Sequence, residues 1–158
     1  MAVKSEVELL RQVPLFAEVG VAQLQLLVFN SRKRRIASGS LLVKAGETTA
    51  AAQLLLSGEA EALEGSADEG KVIARLKRGA FIGELGMVAG LPAPVSVRAI
   101  TPVEVMRITQ ELFQRVCQEF PDDGQRMLAS LSKRLDVALK DLHDVRSILE
   151  QARSFSRL

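Results

Sequence analysis

The chain has 158 residues, of which 47% are hydrophobic and 25% charged, with a formal net charge of +2. That is enough chain for one domain with a real core, too little for two comfortable ones, and the balance of a soluble globular protein rather than a disordered or fibrous one. A charge this small does not select nucleic acid as a partner.

The longest apolar runs are a few residues long and are broken by Gly, Lys or Glu, so no membrane span is predicted. Lys4, Glu6, Glu8 and Arg11 would interrupt any secretory apolar segment, and a cytoplasmic location is expected. Cys117 is the single cysteine, which excludes an intrachain disulfide and argues against a cysteine-ligated metal site.

Three zones follow in chain order. From about residue 5 to 31, Val7, Leu10, Val13, Leu24, Leu27 and Val28 fall at helical spacing broken by Pro14 and Gly20, which predicts two short helices. From Arg35 to Ile108 short apolar runs such as "SLLVKA", "AQLLLSG", "EAEALE", "KVIARL" and "VSVRAI" alternate with glycine-containing turns. That texture predicts antiparallel strands closed into a roll or barrel, with one helical turn inside "GELGMVAG". The fold class is therefore mainly β with flanking helices.

The last zone starts at Thr109, an N-cap with Glu111 in the first turn, where a carboxylate meets the positive end of the helix dipole. Leu112, Phe113, Val116, Cys117 and Phe120 share one face, and Pro121 closes the segment. A long helix is predicted from Asp122 to Arg153. Its Leu128, Leu131, Leu135, Ala138, Leu142, Val145, Leu149 and Ala152 step by three and four, which is a heptad seam. The stripe can pack on the chain's own roll or on a second helix. At roughly 30 residues and 1.5 Å per residue the helix would run about 45 Å, beyond the width of such a domain, so its distal half is expected to pair in a homodimer. The predicted organisation is a roll over residues 1–121 and a dimerisation helix over 122–158.

The segment "RGAFIGELGMVAGLPAPVSVRAITPVEVMRI", with "VPLF" at Val13 to Phe16, the turns at Gly39, Gly46 and Gly58 and the "F....FP" ending at Pro121, resembles the cyclic-nucleotide-binding domain family. The likeness spans roughly residues 9 to 142. It implies a phosphate cassette over Gly83, Glu84, Leu85 and Gly86, continuing through Ala93, Pro94, Val95 and Ser96, with cyclic AMP or cyclic GMP as the ligand class and no cofactor required. A glycine-opened helical turn offers backbone N–H groups to the cyclic phosphate, a glutamate accepts the ribose hydroxyl, and an arginine pairs with the phosphate. Gly83 and Glu84 match the first two, and Gly86 suits close backbone approach.

The arginine is absent. The family pattern proline, arginine, alanine, alanine, threonine is replaced by Pro92, Ala93, Pro94, Val95, Ser96, so Ala93 stands at the arginine position and Pro94 has no N–H to donate. Hydrogen bonds to a charged group contribute on the order of 1.5 to 3 kcal/mol each, so losing two costs about 3 to 6 kcal/mol, or roughly two to four decades of affinity. Arg98 lies five residues beyond Ala93 along an extended strand, too far to substitute, while Lys77 and Arg78 remain alternatives. At the base-recognition positions implied by the resemblance stand Ala138 and Leu139, neither able to hydrogen-bond through its side chain.

The run Arg32, Lys33, Arg34, Arg35 has no interleaved aromatics and reads as a solvated loop and strand edge. A winged helix is not expected after the long helix, and neither is DNA reading. His143 lacks companion ligands, Cys117 reads as a small buried apolar residue, and no nucleophile or acid–base constellation is present, so no enzyme is predicted. The expected function is a regulatory sensor module with weakened or altered nucleotide binding. The alternative is a ligand-free scaffold for dimerisation and protein docking.

Overall fold

The computed structural model describes residues 2–64 and 70–134. The chain opens with α1 (Ala2–Arg11), a 3-10 turn (Pro14–Phe16) and α2 (Val21–Asn30). Eight strands follow: β1 (Arg32–Ile36), β2 (Leu41–Val43), β3 (Ala51–Ser57), β4 (Ala60–Glu64), β5 (Lys71–Leu76), β6 (Phe81–Ile82), β7 (Ser96–Ala99) and β8 (Val103–Thr109). A one-turn-and-a-half helix, α3 (Glu84–Ala89), sits between β6 and β7. Two helices close the described chain, α4 (Gln110–Glu119) and α5, residues 121–134.

The strands form two antiparallel four-stranded sheets, in the orders β1-β8-β3-β6 and β2-β7-β4-β5. β3 and β8 are covered on both faces. Leu54 of β3 lies opposite Met106 of β8 and both enter the core shared with the helices, while Leu55 lies opposite Val105 and both enter the core between the sheets. Burial on both faces is why "AQLLLSG" reads as a nearly unbroken apolar run instead of an alternating one.

The helical core gathers Leu9 and Leu10 of α1, Leu24 and Leu27 of α2, Phe113 and Val116 of α4, and Met127 and Leu131 of α5. Phe16, fully buried, meets Phe81 edge to face with ring centroids 5.5 Å apart. That contact ties the N-terminal turn to the strand leading into α3, and aromatic pairs in this geometry contribute beyond their buried area. Thr109 caps α4, its hydroxyl accepting from the Leu112 N–H at 3.2 Å.

One expectation is met with an addition, and two need adjustment. The N-terminal segment is two helices joined by a 3-10 turn, because Pro14 fits the first position of a tight turn and leaves Leu15 and Phe16 facing inward. The basic run is a strand along its whole length, pairing from Arg32 opposite Arg107 to Ile36 opposite Val103. It lies at a sheet edge, where long cations reach water and discourage further pairing. Pro121 opens α5 instead of standing outside it, since a helix start tolerates a missing N–H.

Of the heptad positions, Leu131 is buried in the chain's own core and Leu128 is half exposed at 50%. Leu135, Ala138, Leu139, Leu142, His143, Val145, Leu149, Ala152 and the turn at Gly65 lie outside the described residues.

Candidate functional site

β6 ends at Ile82, and Gly83 turns the chain into α3 with a φ of +84°, a left-handed backbone that glycine adopts without steric cost. A Cβ at this position would lie 2.9 Å from the Ala51 carbonyl oxygen. The glycine therefore serves both the turn and the close packing of α3 against β3. Gly90, at φ +68°, ends the helix, with its N–H directed to Gly86 O.

The loop returning to β7 folds across this helix. Gly83, Glu84, Leu85, Gly86, Leu91, Pro92, Ala93 and Pro94, with Thr49 from the β2–β3 connection, line a small, half-open cavity of about 130 Å³. The cassette positions from Gly83 to Gly86 and from Ala93 to Pro94 are thus brought together. Val95 packs into the core between the sheets instead, and Ser96 is buried with its hydroxyl accepting from the Ala45 N–H at 2.9 Å.

No lysine or arginine lines the cassette cavity among the described residues. The Ala93 N–H donates to Glu47 O at 2.9 Å and its carbonyl accepts from Gly46 N–H at 2.8 Å, so this backbone is committed to the neighbouring loop. Pro94 has no N–H to donate. Arg98 lies in β7 opposite Leu41 and Glu61, and Arg78 donates to Ser5 Oγ at 2.9 Å near α1. Neither borders the cavity.

One cation does reach the cassette from afar. Arg134, at the end of the described part of α5, donates to both carboxylate oxygens of Glu84, from Nη1 to Oε2 at 3.2 Å and from Nη2 to Oε1 at 2.5 Å. The side chains are 37% and 20% exposed, a partly sheltered bidentate pair. Hydrogen bonding to Glu84 holds the Arg134 guanidinium pKa above its ordinary value. The sequence carried no signal for this contact. The partners are 50 residues apart, and Arg134 follows Lys133 on a helix whose apolar seam dominated the pattern.

Elsewhere, burial pushes the Cys117 thiol pKa up, which reduces its thiolate character. No group of three or more His, Cys, Asp or Glu is placed to hold a metal ion, and no helix is long and apolar enough to cross a membrane, among the described residues.

Comparison with known proteins places this two-sheet roll, with its glycine-opened helical turn and folded-back loop, in a family. The family model "Cyclic nucleotide-binding domain" matches residues 33–120, more than half of the chain. The chain belongs to the cyclic nucleotide-binding domain family. It is 32% identical over 126 residues to an uncharacterized NTE family protein of Mycobacterium tuberculosis, covering 80% of this chain and 21% of that one. It is 34% identical over 103 residues to the cAMP-activated global transcriptional regulator CRP of Escherichia coli, covering 63% and 49%.

The chain thus spans between about a fifth and a half of the length of these curated relatives. The solved N-terminal domain of a transcriptional regulator from Streptomyces coelicolor superposes with a TM-score of 0.76 at 22% identity, covering 84% of this chain and 93% of that one. That likeness is one of fold. The chain is thus a domain of cyclic-nucleotide-binding type.

Proposed function

We propose that this domain is a non-enzymatic regulatory module in which the cassette at Gly83–Gly86 and Ala93–Ser96 has lost strong affinity for cyclic nucleotides. The carrying observation is a cassette cavity bordered by Ala93 and Pro94 and lined by no lysine or arginine among the described residues. A cyclic phosphate entering it would surrender water without gaining a charged partner, which is costly for an anion. The committed Ala93 N–H and the missing Pro94 N–H remove backbone donors from the same place.

Arg134 supports a regulatory reading. Any ligand that hydrogen-bonds to the Glu84 carboxylate must share or displace a guanidinium carried by α5, so cassette occupancy and the placement of α5 are coupled. The half-exposed Leu128, the first position of the seam, supports an output in which the segment from residue 122 onward pairs with a second copy. Residues 1–121 then form the sensing unit and 122–158 the pairing unit of a cytoplasmic homodimer that requires no cofactor.

Isothermal titration of cyclic AMP and cyclic GMP into the purified protein tests this reading. Dissociation constants of about a millimolar or weaker are expected, in line with the two to four decades or so attached to two lost donors. Binding at micromolar levels would refute it.

A further inference from the structure

The cassette cavity has a larger neighbour. Between the two sheets, Val43 of β2, Leu76 of β5, Ala80, Ile82 of β6, Val95 just before β7 and Val97 within it line a second, half-open cavity of about 400 Å³, and Gly83, Ala93 and Pro94 border both spaces. Every residue lining it is apolar or glycine. The buried polar side chains of the surrounding strands are turned to the backbone: Gln53 Nε2 donates to Leu42 O at 3.0 Å, and Ser96 Oγ accepts from Ala45 N–H.

Resting on the reading of a cassette without its arginine, we propose that this cavity binds a small, uncharged, largely apolar molecule. Its volume lies within the roughly 300–1,000 Å³ range of small-molecule sites. A space with apolar walls holds water poorly, because a water needs two to four polar partners, whereas an apolar solute loses unfavourable contact with bulk water on entering. Ala93 decides between ligand classes. At the junction of the two cavities it presents a methyl group where an arginine would meet charge, so an anion gains nothing there and a neutral solute forfeits nothing.

Titration with the neutral fluorophore phenylnaphthylamine, whose emission rises in apolar surroundings, tests the inference. Wild-type protein is expected to show saturable binding. Val97→Phe and Ala80→Leu, each filling the cavity from a different wall, are expected to weaken it by at least about tenfold while the thermal unfolding transition persists. Phe29→Ser, which removes an exposed ring on α2, is expected to leave it unchanged. Absence of saturation, or equal binding by wild type and both filled variants, would overturn the inference. A parallel titration with cyclic AMP separates the two readings. If neither molecule binds, the apolar site alone fails; if cyclic AMP displaces the fluorophore at micromolar levels, the cavity reads nucleotide and both readings fail together.

Discussion

Individual residues at the cassette show how much of the site depends on backbone. Gly83 combines a φ of +84° with a carbonyl 2.9 Å from where a Cβ would stand. Gly83→Ala should therefore lower stability by about 2 kcal/mol, the usual cost of a left-handed alanine plus a steric contact, read from urea unfolding; an unchanged midpoint would show that the turn relaxes freely. Arg134 and Glu84 make the opposite kind of contribution. Their pair is partly open to water, so Arg134→Ala should cost only about 1 kcal/mol. Its larger effect should be on α5, seen as faster amide exchange in residues 127–134 than in β3, whose protection should stay at the global level. Uniform change across both elements would argue against a local latch.

At the scale of elements, what the sequence revealed depended on whether the cause was local. "KVIARL" and "VSVRAI" became β5 and β7, and "GELGMVAG" contained α3, because period, glycine turns and helix signals act within a few residues. The strand through Arg32–Arg35 was only half legible: its partner β8 lies some 70 residues away, and a run of cations carries little strand signal of its own. The cassette residues could be placed by resemblance, and Ala93 and Pro94 stood out at once. The engagement of the Ala93 backbone with Gly46 and Glu47, the Glu84–Arg134 pair and the apolar cavity are products of tertiary packing and left no trace in spacing. Phe16 belongs to the same category of long-range contact. Fully buried against Phe81, it should cost about 3–5 kcal/mol when replaced by alanine, measured by thermal unfolding; a loss below about 1 kcal/mol would mean that the N-terminal turn does not brace the cassette strand.

For the whole molecule, α5 begins on the roll's own core through Met127 and Leu131 and turns Leu128 outward. If the seam continues into a homodimer, Leu128→Glu should shift sedimentation toward monomer while the roll keeps its unfolding midpoint, because a charge at a seam position disfavours helix pairing without touching the core. A variant that remains dimeric would place the interface elsewhere.

On the proposed function, the roll is a preserved scaffold whose cassette lacks the groups that hold a cyclic phosphate. Calorimetric titration of cyclic AMP into the Ala93→Arg, Pro94→Ala double variant, beside wild type, tests it most directly. Restoring the guanidinium and the backbone N–H is expected to tighten binding by at least about a hundredfold, into the micromolar range. Micromolar binding by the wild type, or no gain in the double variant, would contradict it.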